Sequence, residues 1–114
     1  MPTPHRTERL ADLLKQETML FFLTEWEDDR LEGMTITQAR LTKDLRILRL
    51  YYVVRDAADK EEVELGLSEV RSSLRKVLAG RVSLRFVPEI EFFYDETDDL
   101  REKTEKLFSK IHEF

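Results

Sequence analysis

The sequence predicts an α+β domain, a three-stranded mixed sheet with its helices packed on one face. Three observations carry this. Two runs rich in β-branched and apolar residues, 34–42 and 47–54, flank a short turn sequence and should pair as a hairpin. Val63, Leu67, Val70, Leu74, Val77 and Leu78 recur at the 3–4 spacing of a buried helix, placed between that hairpin and a third run of alternating character, 82–94. Apolar periodicity near both ends of the chain adds a helix at each, so the order is α-β-β-α-β-α with no internal repeat.

The opening helix can be capped by Thr3 with Pro4 at its first position. Leu10, Leu13, Leu14, Phe21 and Phe22 form its stripe, with Glu17 at the edge. An acidic connection, Thr24 to Gly33, contains Trp26, which is read as a partial core plug because a lone tryptophan usually packs. Thr42-Lys43-Asp44 supplies turn chemistry, since Thr and Asp side chains bond nearby backbone amides. In the second strand Leu48, Leu50, Tyr52 and Val54 share a face. Asp59-Lys60-Glu61-Glu62 resembles a capping box, and Gly80 is expected to end the central helix as a left-handed cap, with Lys76 near the negative helix end.

In the third strand Val82, Leu84, Phe86, Ile90, Phe92 and Tyr94 should face one way, with Ser83, Arg85, Glu89 and Glu91 opposite. Pro88 cannot donate to a ladder, so this strand is expected at an edge or bulged there. Asp98 and Asp99 open a last helix that Lys110 closes, over Leu100, Leu107, Phe108 and Ile111. The expected core is Leu14, Phe21, Leu50, Tyr52, Leu67, Leu74, Leu84, Phe86, Ile90, Phe92 and Leu107.

The 114 residues suit one domain, 1–114, with a single modest core. Charged residues are 38% and hydrophobic residues 41% of the chain, the balance of a folded soluble protein. There is no cysteine, which excludes disulfides and removes the favoured zinc ligand. No apolar run approaches the ~20 residues of a membrane span, and Met1-Pro2-Thr3-Pro4-His5-Arg6 lacks a signal-peptide h-region, so a cytoplasmic protein without a membrane partner is expected.

A net charge of −5 argues against a nucleic-acid partner until its distribution is considered. Residues 40–55 hold Arg40, Lys43, Arg46, Arg49 and Arg55 against Asp44 alone, a net +4. Residues 70–88 hold Arg71, Arg75, Lys76, Arg81 and Arg85 with no acid, +5, which leaves −14 elsewhere. Such a dipolar chain can present an RNA-facing surface under an acidic total; solvated charge is the plainer alternative.

Catalysis and metal binding find no foothold. His5 and His112 lie near opposite ends of the chain without carboxylates at ligand spacing. Glu89 and Glu91 share a strand face with no nucleophile beside them, and Gly33, Gly66 and Gly80 form no phosphate loop. A non-enzyme without cofactor is expected.

Several segments together resemble the ribosome-binding factor A family. Arg6-Thr7-Glu8-Arg9-Leu10 with Leu13, Leu14 and Glu17 resembles its opening helix, and Asp28-Asp29-Arg30-Leu31 its Asp-Pro-Arg-Leu, with Asp29 in place of proline. Thr35-Ile36-Thr37 and Thr42-Lys43-Asp44-Leu45 match its first strand and its Ser/Thr-x-Asp-Leu hairpin; Leu74-Arg75 matches a hydrophobic-Arg step in its central helix. The run from Leu84-Arg85 through Pro88-Glu89-Ile90 to Phe92-Phe93-Tyr94-Asp95 is similar to its Leu-Arg-x-x-Pro-Glu-Leu-x-Phe-x-Tyr-Asp signature.

The resemblance spans residues 6 to about 111 in order. It implies a type II KH-like fold, binding to the immature 30S small ribosomal subunit, and a part in late maturation and 5′-end processing of 16S rRNA. Ribosomal proteins or a maturation GTPase are further candidate partners, suited to the acidic helices, and a monomer is expected.

KH domains generally clamp RNA backbone with a Gly-x-x-Gly loop, which is absent here. Where the family carries an Ala-x-Gly kink this chain reads Val70-Arg71-Ser72. Serine hydroxyls can bond a carbonyl one turn back and bend a helix, so a bend or break near Ser72 is expected. The RNA-binding residues expected on these grounds are Arg46, Arg71, Ser72, Arg75, Lys76, Arg81 and Arg85. Arg85 has a competing role, since Glu89 or Glu91 on its own strand could pair with it. Two other functions stay open: a generic single-stranded RNA binder, which would favour exposed aromatics, and a protein-interaction domain whose acidic helices bind a basic partner.

Overall fold

A computed structural model describes residues 4–55 and 59–97. Helix α1 (Pro4–Thr24) leads through a 3-10 turn (Asp29–Leu31) into strands β1 (Thr35–Leu41) and β2 (Ile47–Val53), then helix α2 (Lys60–Arg81) and strand β3 (Glu89–Tyr94). This is the expected α-β-β-α-β order. The Thr3 cap and the final helix with Leu107 lie outside the described residues.

The sheet runs β1-β2-β3, with β1 and β2 antiparallel and β2 and β3 parallel. A parallel pair needs a long crossover, and α2 supplies it. Its start is fixed by Asp59, whose carboxylate accepts from the Glu61 and Glu62 amides. Val63, Leu67, Val70, Leu74 and Leu78 are all buried, and with Leu14 and Phe21 of α1 they cover Ile36, Leu48, Leu50, Tyr52 and Ile90 on the inner sheet face. Of the expected core, Leu84 and Phe92 are partly buried and pack against this cluster.

Four features depart from the sequence reading. Phe86 is 76% exposed rather than core, because β3 starts only at Glu89. The alternation from Val82 to Phe86 therefore belongs to an irregular segment, and Pro88, which has no amide hydrogen, ends just where the ladder begins. Gly80 is not a left-handed cap: α2 continues to Arg81, and its C-cap is Val82, whose amide bonds Leu78 O. Arg81 pairs with Glu17 and Glu25 of α1 and Val82 is buried, so tertiary contacts carry the helix past the glycine.

Of the bend or break expected near Ser72, the break does not occur. α2 is helical without interruption from Lys60 to Arg81, and no hydrogen bond from the Ser72 or Ser73 hydroxyl is made among the described residues. The unbroken phase of the buried stripe keeps α2 continuous past the serines. Finally, the β1–β2 register shifts between Ile36 and Gln38, a bulge that leaves Thr37 without a cross-strand partner.

Candidate nucleic-acid interface

Three local constructions set the frame around the basic residues. At the hairpin tip the Thr42 hydroxyl donates to Asp44 Oδ1 (2.7 Å), Asp44 accepts from the Arg46 amide (3.1 Å), and Ile47 N–H donates back to Thr42 Oγ1 (3.1 Å). The Thr42 hydroxyl holds the Asp44 carboxyl below its ordinary pKa. This network holds Leu45 at φ 62, a left-handed conformation unusual for leucine.

In the 3-10 turn, Asp28 caps the Arg30 amide and receives two bonds from its guanidinium (2.9 and 2.7 Å), which holds the Asp28 carboxyl below its usual range. Arg30 reaches on to Glu69 of α2 (2.6 Å), while Leu31 is buried. Gly66 permits this docking: a Cβ there would lie 3.0 Å from Leu31 Cδ2.

The third construction is Asp95. Its carboxylate accepts from the Thr37 hydroxyl (2.5 Å), from Gln38 Nε2 (3.3 Å) and from the Thr97 amide (3.0 Å), and its own amide donates to Tyr52 O (2.8 Å). One residue thus ties the end of β3 to β2 and to the β1 bulge. The Thr37 bond above all lowers its pKa, against the opposing effect of burial.

On this frame the expected RNA-binding cations separate into two groups. Arg75 donates from Nε to Pro88 O (3.1 Å) and from Nη2 to Val87 O (3.1 Å), and lies 3.5 Å from Glu89. It fastens the segment ahead of β3 to α2. Arg81 is joined to Glu17 and Glu25, fastening the end of α2 to α1. By contrast Arg71, Lys76, Arg85 and Arg46 are at the surface with no carboxylate within ion-pair distance among the described residues. The pairing considered for Arg85 does not form, since Glu89 faces Arg75 and Glu91 faces Arg49 (3.7 Å).

The topology brings Arg46 and Arg85 to one end of the sheet with Lys76 nearby on α2, while Arg71 lies further along toward the other strand ends. β2 and β3 both start at the hairpin end of the sheet, where Glu89 N–H donates to Arg46 O (2.8 Å), and the Arg75 bonds show that the last turns of α2 lie over the same end. Ser72 is exposed one turn before Lys76, on the outer face of α2. Arg71 turns toward β3 and lines a crevice of about 400 Å³ with Ser68, Tyr52, Phe92, Phe93 and Tyr94.

Sequence reasoning missed Phe86 as a surface group; its ring sits 5.7 Å from the Arg85 guanidinium carbon. Pro88 was the available signal, because a proline two residues on argues against a continuous strand through Phe86. Phe93 is also exposed, so aromatic surface absent from the sequence reading does exist. Among the described residues no group of His, Cys, Asp and Glu could hold a metal, and no helix is long and apolar enough to cross a membrane.

A family profile described as ribosome-binding factor A matches residues 6–108. The chain belongs to the ribosome-binding factor A family. It is 36% identical to ribosome-binding factor A of Desulfatibacillum aliphaticivorans over 107 residues, 93% of this chain and 87% of that one. The crystal structure of ribosome-binding factor A from Thermus thermophilus superposes with a TM-score of 0.70 at 30% identity, covering 77% of this chain and 93% of the other. A Thermus thermophilus ribosome-binding factor A homology model fitted into the cryo-EM map of a 30S–RbfA complex gives a TM-score of 0.66 at 29% identity, over 79% and 96%. Within this family the motif residues of the present chain have structural work to do: Thr42 and Asp44 shape a turn, Asp28 and Arg30 dock one, and Asp95 locks three strands together.

Proposed function

We propose that this protein is a non-catalytic, cytoplasmic assembly factor that binds the immature 30S subunit and assists late maturation and 5′-end processing of 16S rRNA, with residues 1–114 acting as one domain. The observation that carries the reading is the Thermus thermophilus relative fitted into a 30S–RbfA complex, to which this chain is similar over most of its described length. The geometry adds the means. Phosphate binding favours cations without an internal ion pair; Arg46, Lys76 and Arg85 offer this toward the hairpin end of the sheet, and Arg71 extends the surface along α2. Arg75 and Arg81 then serve the site by holding the 82–88 segment and the end of α2 in place, and Phe86 offers a ring on which an unpaired base can stack.

Sedimentation of cell extracts tests the reading. The protein should travel with free small subunits and be missing from translating ribosomes, and cells lacking it should accumulate 16S rRNA with an extended 5′ end. The double reversal Arg71→Glu/Lys76→Glu should reduce subunit association on the order of tenfold or more, given the loss of phosphate neutralisation. Absence from the small-subunit fractions would refute the assembly role. Normal association of the double reversal would refute the patch.

A further inference from the structure

At the far end of α1 from its start, the chain builds a cleft of about 580 Å³ that the RNA reading leaves unused. Its floor is apolar, from Phe22, Trp26, Leu31, Met34 and Ile36, and Met19 and Leu23 stand at its mouth. Leu23 is 81% exposed, and Met19 and the neighbouring Leu20 are exposed as well, a run of uncovered apolar side chains on one helix. Soluble surfaces seldom carry such a run without a partner. Two flexible methionines beside a tryptophan suit a surface that adapts to a peptide rather than to a rigid small molecule.

The rim is acidic. Glu27, Asp28, Asp29 and Glu32 line it, and of these only Asp28 is joined to a cation among the described residues, namely Arg30. Trp26 stacks on Phe21 (ring centroids 5.9 Å) with its indole nitrogen buried. The Asp28 carboxyl feels that N–H, yet the two do not reach hydrogen-bond geometry, so the donor has no acceptor among the described residues.

We propose that this cleft docks a lysine- and arginine-rich peptide segment carrying a large apolar anchor, of the kind found in basic extensions of RNA-bound proteins. The apolar anchor fills the space between Leu23, Trp26 and Met34, while the flanking cations face Glu27, Asp29 and Glu32. Charge complementarity decides the class of occupant: nucleic acid would be repelled by this rim, and a neutral or acidic peptide would leave the carboxylates unmatched. The inference goes beyond the rRNA reading, since it assigns the opposite charge of the molecule to a protein partner.

Trp26 is the single tryptophan of the chain, so its emission reports the cleft directly. A synthetic twelve-residue peptide of alternating Lys and Leu, titrated into the full-length protein, should shift that emission to shorter wavelength and lose affinity with added salt. A Glu/Leu peptide of the same length should leave it unchanged. Leu23→Ser, a change at an exposed position, should weaken the Lys/Leu peptide about tenfold, and Glu27→Lys/Glu32→Lys should weaken it further, with the thermal midpoint kept in both. No shift with the basic peptide, including the case where residues 98–114 already fill the cleft, overturns the proposal, as does an equal shift with the acidic one.

A second arm uses the ribosome. A photocrosslinking amino acid at position 23, in protein bound to purified precursor subunits, should label a ribosomal protein within a Lys/Arg-rich segment. Subunit binding with crosslinks to rRNA alone, or with none, would defeat the cleft proposal and leave the assembly-factor reading standing. Failure to bind subunits at all would instead count against that reading, and the peptide titration would still decide the cleft.

Discussion

The acidic corner around the 3-10 turn and the basic end of the sheet treat their arginines in opposite ways. In the corner, Arg30 is held by Asp28 and Glu69 together, and the two carboxyls are pulled down in pKa by the same guanidinium that they hold up. In the basic segments, Arg71, Lys76, Arg85 and Arg46 have no carboxylate within ion-pair distance among the described residues. The difference lies in which cations already have internal acceptors. A cation with two internal acceptors positions backbone, whereas one left in water keeps its full capacity for a phosphate. Arg75 and Arg81 show that membership of a basic segment does not by itself place a residue in the second class.

The largest effect that bears on this contrast is a control on the helix shared by both classes. Leu74 is fully buried between Arg71 and Arg75 in sequence, on the face of α2 turned to the core. Leu74→Ala should cost about 2–5 kcal/mol in urea unfolding, from lost burial plus the cavity left behind. A cost below about 1 kcal/mol would mean that α2 is not the pillar of this core, and the placement of its surface cations would fall with it.

A smaller effect sharpens the structural class. Asp95→Ala removes three acceptor contacts at a buried position and should cost about 1–3 kcal/mol. Its pH dependence gives an independent check. The folded carboxyl is depressed, chiefly by the Thr37 hydroxyl, so its stabilisation is complete above the unfolded value of about 3.9 and is lost as pH falls from there through the lower folded value. Urea midpoints measured from pH 6 down to pH 3 should fall less steeply for the variant than for the parent. Equal slopes would show that Asp95 carries no such bond in solution.

The sequence was legible where one physical signal dominated. Val63, Leu67, Val70, Leu74 and Leu78 are buried as their spacing required, with Val77 partly so, and Leu48, Leu50 and Tyr52 share the inner face of β2. Reading failed where tertiary contact overrode a local rule. Gly80 looked like a helix stop, but Arg81 is claimed by two carboxylates of α1 that no local window contains. Phe86 kept a strand's alternation while Pro88 prevented the strand.

The division of the cations was likewise out of reach. Arg71 and Arg75 are one helical turn apart in similar sequence surroundings, and only the return of residues 87–89 toward α2 gives Arg75 its carbonyls. Charge counting located the basic segments and could not say which of their side chains were already occupied by internal partners.

That pair of arginines offers the finest test of the contrast, and the smallest expected effect. Arg75→Gln should cost about 1 kcal/mol, since it removes two bonds to the Pro88 and Val87 carbonyls, and a half-exposed site limits the loss. Arg71→Gln should change stability by no more than about 0.5 kcal/mol, because no ion pair among the described residues goes with it. Their binding signatures should be reversed. When association with precursor subunits is measured across salt concentrations, Arg71→Gln should flatten the slope of log affinity against log salt by roughly 0.7–0.9, one phosphate's share. Arg75→Gln should keep the parent slope and weaken binding only through disorder of the 82–88 segment. If both variants flatten the slope equally, Arg75 leaves its carbonyls to meet RNA, and the boundary between holding and binding residues would have to be drawn after subunit docking rather than in the free protein.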